Sequence, residues 1–249
     1  MQFLSESVDD GLIERRFTVG DVPGILWAPA ARSAAGATEP GTAARPLILL
    51  GHGGGQHKGA PGIAARARRF AADGFAVAAI DAPGHGGRPR TDRERRFSEG
   101  FAERMSAGEP VAEHVAAYHA EVAEHAVGDW KSVLDALQEV VEEGDVGYWG
   151  VSLGAAIGLP FIAADSRIGA AVVGLVAGDM VPVRASRVTI PIEFLVQWDD
   201  ELVPRTAALE LFDALASTEK TLHANPGPHA AVPRFEIDSA ARFFLRHLS

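Results

Sequence analysis

The run Val146-Gly147-Tyr148-Trp149-Gly150-Val151-Ser152-Leu153-Gly154 decides how the chain is read. Val146–Trp149 has the character of a short buried strand, and Leu153–Ala164 continues as an apolar helix. Between them stands G-x-S-x-G. In that setting the pattern is a nucleophile elbow, a strand-to-helix turn that lifts a serine hydroxyl above the sheet. The two glycines are needed because strand and helix backbones crowd such a turn, and a Cβ there would clash. The turn also sets Ser152 and the Leu153 amide at a helix N-terminus, where partial positive charge favours an oxyanion. As a bare string the pattern is weak; its force comes from the strand before it and the helix after it.

A serine hydroxyl is a poor nucleophile without a base, and the base needs an orienting acid. In this architecture both follow the serine, at strand ends, in the order Ser, acid, His. Three histidines lie downstream of Ser152. His223 falls inside a short strand and His247 on the last helix. His229, in Asn225-Pro226-Gly227-Pro228-His229-Ala230, sits in a loop between strand and helix and is the expected base. For the acid, Asp199 and Asp200 both follow the strand Ile192–Gln197, and Asp179 follows the strand before it. Asp200 is favoured; one member of the pair could instead cap the helix that opens near Pro204. The third requirement is an oxyanion hole. Gly51-His52-Gly53-Gly54-Gly55 follows the apolar run Leu47–Leu50, and an amide of Gly53 or Gly54 would pair with that of Leu153. The cluster matches neither phosphate-binding pattern, G-x-G-x-x-G or G-x-x-x-x-G-K-[ST].

Outward from the elbow the chain alternates strand and helix. Strands are expected at Leu47–Leu50, Phe75–Ile80, Val146–Trp149, Ala170–Val176, Ile192–Gln197 and Lys220–His223. Helices are expected at Pro61–Ala72, Asp129–Val141 (with Gly144 as its C-cap), Leu153–Ala164, after Pro204, and Phe235–Leu248. Leu12–Val19 and Gly24–Trp27, joined by a Gly-Asp-Val-Pro turn, read as an antiparallel edge hairpin. The expected fold is α/β: a mostly parallel sheet of eight strands with helices on both faces, in one domain over residues 1–249. Pro29–Pro46, rich in small residues, reads as a surface loop.

Residues 88–127 break the rhythm, being far longer than an ordinary connection. They open with the charged run Thr91-Asp92-Arg93-Glu94-Arg95-Arg96 and then carry an apolar stripe: Val111, Val115, Tyr118, Val122 and Ala126. A lid over the site and a surface helix are the two readings. If it is a lid, Tyr118 belongs to the substrate pocket.

The composition narrows the function classes. The chain of 249 residues has 23 Lys+Arg against 33 Asp+Glu, a net charge of −10. An acidic balance argues against nucleic acid or an anionic membrane as partner. With no cysteine there is no disulfide, Cys nucleophile or thiolate metal site. Met1–Asp10 lacks the basic and apolar regions of a signal peptide, and no apolar run approaches the ~20 residues of a membrane span, so a cytoplasmic protein is expected.

GHGGG at Gly51–Gly55, DAPGHG at Asp81–Gly86, GVSLG at Gly150–Gly154, DDELVP at Asp199–Pro204 and PGPHA at Pro226–Ala230 together resemble an α/β-hydrolase. The similarity is to the serine-dependent branch related to dienelactone hydrolases and prolyl-oligopeptidase-like catalytic domains. The resemblance implies Ser152 as nucleophile, His229 as base and, through D-x-x-V-P, Asp200 rather than Asp199 as acid. The chain departs from true dienelactone hydrolases in using Ser rather than Cys. The usual cap position, after Ala170–Val176, holds only a short connection, so any lid must come from residues 88–127.

Other residues have competing readings. His52 and His85, in loops at strand ends, either line the pocket or bond backbone. Trp198 either walls the pocket or packs the sheet. His114, His119 and His125 read as a solvated helix surface, since their spacings share no helical face and make no zinc motif. The expectation is a serine hydrolase cleaving a small-molecule carboxylic ester through an acyl-enzyme, without metal or cofactor. An amidase, peptidase or C–C hydrolase on the same triad, or a non-catalytic binder of the same fold, are the alternatives.

Overall fold

The computed structural model describes residues 1–30, 46–141, 144–181 and 184–248. Among the described residues nine strands form one sheet, in the order β1-β2-β3-β5-β4-β6-β7-β8-β9. These are β1 (Gln2–Asp9), β2 (Leu12–Val19), β3 (Val22–Pro29), β4 (Leu47–Gly51), β5 (Ala76–Ile80), β6 (Val146–Val151), β7 (Ile168–Gly174), β8 (Ile192–Gln197) and β9 (Lys220–Asn225). β1, β2 and β3 pair antiparallel, as does β3 with β5, and the rest are parallel. Helices α1 (Pro61–Ala72) and α6 (Phe235–His247) cover one face; α3 (Ala112–Gln138), α4 (Leu153–Ala164) and α5 (Arg205–Ala214) cover the other. Burial on both faces explains why β4 and β5 are apolar throughout rather than alternating.

Three expectations need correction. The sheet has nine strands, not eight. The extra one, β1, is exposed at all eight positions, so it has no apolar alternation to reveal it and is held by pairing with β2. The helix expected at Asp129–Val141 starts at Ala112, because the stripe of residues 88–127 and that of Asp129 onward lie on one continuous helix of 27 residues. It ends at Gln138, so Gly144 is not its cap. The surface loop expected at Pro29–Pro46 lies almost wholly outside the described residues.

Topology and register prepare a site at the carboxyl ends of the strands. The chain passes from β4 to β5 on one side and later places β6 on the other side of β4. Crevices form above such a switch point, and ligands of open α/β sheets bind there. Gly51 of β4 is paired with Gly150 of β6, which brings the glycine loop and the elbow off neighbouring strands at the same level. Gln197 of β8 is paired with Asn225 of β9, which does the same for the acid and histidine loops.

Buried Asp81 ties the glycine loop to the loop that leads into α2 (Asp92–Ala107). Its carboxylate takes the Lys58 ammonium at 2.6 Å and the amides of Lys58 and Gly87 at 2.8 Å each. Burial alone would raise its pKa, but these donors outweigh burial and hold it below the ordinary carboxylate value. A lowered carboxylate contributes stability above its unfolded pKa and loses it as pH falls through the folded value. Asp81→Asn is therefore expected to cost about 3 kcal/mol at neutral pH by leaving Lys58 without its counter-ion. Urea unfolding at neutral and acidic pH checks this: the gap between wild type and variant should narrow in acid, as the pH falls below the ordinary carboxylate range and through the lowered value.

Candidate active site

The elbow is as tight as its sequence demands. A Cβ on Gly150 would lie 2.7 Å from the Gly154 carbonyl oxygen, and one on Gly154 would lie 2.5 Å from that of Gly51. Ser152 itself has φ 57° and ψ −122°, a conformation that non-glycine residues seldom hold. Buried Tyr148 donates its hydroxyl to the Gly154 carbonyl at 2.7 Å, fixing the first turn of α4.

His229 Nε2 lies 2.9 Å from Ser152 Oγ, and its Nδ1 lies 2.7 Å from Asp200 Oδ2. A carboxylate only accepts, so Nδ1 carries the proton and Nε2 presents its lone pair to the serine hydroxyl. The other Asp200 oxygen takes the amides of Leu202 and Val203, both at 2.8 Å. The remaining neighbours hold the histidine loop. Asp199 accepts from the Gly227 amide at 3.1 Å, Glu201 from the His229 amide at 2.9 Å, and Gln197 donates to the Pro228 carbonyl at 3.1 Å. Asp179 is exposed and lines a separate surface cavity beside α5.

The Leu153 amide opens α4 and has no preceding helical carbonyl to bond. In the glycine loop, the Gly53 carbonyl accepts from His52 Nδ1–H at 2.9 Å and from the Gln56 amide at 3.2 Å. A trans peptide so anchored aims the Gly54 N–H the opposite way. Gly54 lines both cavities that open on Ser152, whereas Gly53 lines one of them. A Cβ on Gly54 would meet nothing within 4 Å, so steric need alone does not explain that glycine.

One cavity, of ≈ 290 Å³, lies under the α2–α3 segment, with Phe97, Phe101, Val115, Tyr118 and Leu202 as its apolar wall. Its polar lining includes Arg90, Glu94, His85 and His119. The other, of ≈ 730 Å³, lies toward α1 and the start of α6. Helix α2 has no fully buried side chain. It is started by a capping box between Thr91 and Glu94 and attached to α3 by the stack of Phe97 on Tyr118, with centroids 3.7 Å apart, and by the Arg93–Glu121 ion pair.

Of the four pocket candidates, His85 and Tyr118 line the cavity under α2. His52 lines neither. It is buried beneath the glycine loop, bonded to Gly53 through Nδ1 and accepting from the Ala82 amide at 3.0 Å through Nε2, and burial lowers its pKa to about 4. Trp198 lines neither cavity; it is 46% exposed with Arg205 stacked over it, so it is a surface residue. The reading of three surface histidines also needs correction. His125 is exposed, but His114 stacks on Phe97 and His119 is buried. Sequence reasoning passed over Phe97, Phe101 and Leu202. The signal for the first two was present, as aromatic residues four apart on an otherwise charged helix.

Residues 42–177, more than half of the chain, match the family described as serine aminopeptidase, S33. The chain belongs to that family. It is an α/β-hydrolase and a serine hydrolase. A cold-adapted esterase from an Arctic intertidal metagenomic library, solved with polyethylene glycol bound, is 32% identical, with all of both chains covered and a TM-score of 0.78. Two more distant structures share the fold. An acetyl xylan esterase from Paenibacillus sp. R4 is 15% identical over 99% of this chain and 87% of its own, with a TM-score of 0.63. The dienelactone hydrolase from Anabaena variabilis is 18% identical over 95% and 99%, with a TM-score of 0.60. No match was found among curated protein sequences. Among the described residues, no helix is long and apolar enough to cross a membrane.

Proposed function

We propose that this serine hydrolase cleaves carboxylic esters of small molecules with Ser152, His229 and Asp200 as its triad. The observation that carries the reading is the hydrogen-bond chain from Asp200 Oδ2 through His229 to Ser152 Oγ, at 2.7 and 2.9 Å. Ser152 Oγ attacks the ester carbonyl as His229 Nε2 takes its proton. The developing oxyanion is held by the amides of Leu153 and Gly54, with Gly54 preferred to Gly53 because it faces both cavities. His229 returns the proton to the departing alkoxide, leaving an acyl-serine. Water, deprotonated by the same Nε2, then releases the acid. No cofactor takes part in this scheme.

The family name invites an aminopeptidase reading, which calls for acidic groups to hold a substrate ammonium. Among the described residues lining the cavity under α2, the one carboxylate, Glu94, is balanced by Arg90 on the same wall. That balance favours a neutral ester. The esterase similarity at 32% identity supports the same choice. Matched p-nitrophenyl esters and amino-acid p-nitroanilides decide it. Ester turnover well ahead of anilide turnover is expected; the reverse order would establish the peptidase instead.

The α2 segment with the first turns of α3 is read as the lid over this site. Val115 and Tyr118 line the cavity, while Val111 and Val122 are buried in the core without lining it. Val115→Ala and Tyr118→Ala are expected to reorder ester preference by chain length, by about 1–3 kcal/mol in relative kcat/KM. Val122→Ala should lower thermal stability with the order unchanged. An unchanged order in both cavity variants would contradict the lid.

A further inference from the structure

His119 stands in the wall of the cavity under α2, together with Ser152 and His229. It is 5% exposed. Burial, with the nearby rings of His229 and His85, lowers its pKa to about 4, so the ring is neutral at ordinary pH. Its Nδ1 is buried and has no hydrogen-bond partner among the described residues. A neutral imidazole carries one N–H and one lone pair. A proton on Nδ1 would be sealed from every acceptor, whereas one on Nε2 can be met from the cavity, which favours the lone pair on Nδ1 and the proton on Nε2. Nε2 also meets no protein acceptor among the described residues, but it is not sealed off as Nδ1 is. The small exposed part of the ring belongs to the cavity wall, so this N–H is offered to whatever fills the cavity. The same wall carries the apolar side chains Phe97, Phe101, Val115 and Leu202. The other titratable groups on that wall are Arg90, Glu94, His85, Tyr118 and His229.

We propose that His119 is a specificity residue whose Nε2–H binds a carbonyl or ether oxygen on the arm of the ester that occupies this cavity. The inference rests on the reading of Ser152 as nucleophile. An alkyl chain entering the cavity strips water from that N–H and gives nothing in return; an acceptor oxygen restores the bond. The penalty for an unmade hydrogen bond exceeds the gain from a made one, so the effect appears as rejection of the hydrocarbon analogue. Both cavities open on Ser152, so the arm is either the acyl chain or the alcohol, and the chemistry required of it is the same.

Two matched pairs of esters test this. Methyl levulinate against methyl valerate carries the oxygen in the acyl arm; 3-oxobutyl acetate against butyl acetate carries it in the alcohol arm. The wild type should prefer the oxo ester of one pair by about tenfold in kcat/KM, the worth of one hydrogen bond. His119→Phe should bring that ratio to near unity, and His119→Gln, whose amide N–H can take the place of Nε2–H, should keep much of it. The ratio should be the same at about pH 5 and pH 8, since a group with pKa about 4 is neutral at both. The same pairs are also compared as Kd values on Ser152→Ala, where no turnover is needed. Ratios near unity in both pairs for the wild type, or a preference that survives His119→Phe, would overturn the assignment. Failure of the wild type to hydrolyse any ester would sink the nucleophile reading, and the Kd comparison would still decide His119.

Discussion

Ser152→Ala is expected to lower kcat by about five orders of magnitude while leaving the fold and its melting temperature intact, and His229→Ala should do nearly the same. Ser152 Oγ is not a nucleophile unless Nε2 takes its proton, and Nε2, 2.9 Å away, has no catalytic use without Oγ. The two act as a unit, so the double variant should be scarcely slower than either single. On the proposed scheme the residual rate would come from substrate binding and from the amides of Leu153 and Gly54, which neither substitution removes. Single-turnover rates on an activated ester, together with thermal melts, check this. Losses that multiply in the double variant would mean that the two side chains work in separate steps.

Asp200→Asn is the second large expectation, with kcat falling by about four orders of magnitude. The carboxylate accepts from Nδ1–H and so keeps the lone pair on Nε2. An amide can present its NH2 to Nδ1 and reverse the tautomer. Its buried Oδ1 position would still take the amides of Leu202 and Val203, so the loop should survive. Asp199→Asn should cost only a few-fold, because Asp199 is bonded to the Gly227 amide of the histidine loop and not to the ring. Kinetics of both variants on one ester separate these roles. A mild Asp200→Asn beside a severe Asp199→Asn would reverse them.

The parts of the molecule that the sequence made legible are those where chemistry restricts residue type. The elbow needs small residues at Gly150 and Gly154 because two backbones meet there, and that leaves a readable pattern. The inner strands β4, β5, β6 and β7 are buried on both faces and so form largely continuous apolar runs. β1 escaped because an exposed edge strand obeys no such rule. The α3 helix was divided in two because its halves serve different neighbours, α2 and the cavity at one end, α4 and the sheet at the other. The helix runs through Gly128 without a break. His119 was misplaced by comparing it only with His114 and His125. It lies four residues after Val115 and four before Ala123, on the buried stripe of α3, and that spacing was there to be read. For His52 the sequence leaves pocket wall and backbone bonding both open, and the structure shows the second. That its ring is spent on holding Gly53 and Ala82 depends on the pairing of two loops, which no local pattern records.

The central claim is that the hydroxyl of Ser152 is activated by His229 and Asp200. Labelling with a fluorophosphonate, followed by peptide mass spectrometry, tests it most directly, because the reagent modifies a serine only where a base activates it and an oxyanion is held. The account predicts one adduct, on the peptide containing Ser152, absent in Ser152→Ala and strongly slowed in His229→Ala and Asp200→Asn. An unlabelled Ser152 in folded wild-type protein, or ester turnover lost through an adduct on a different serine, would contradict it.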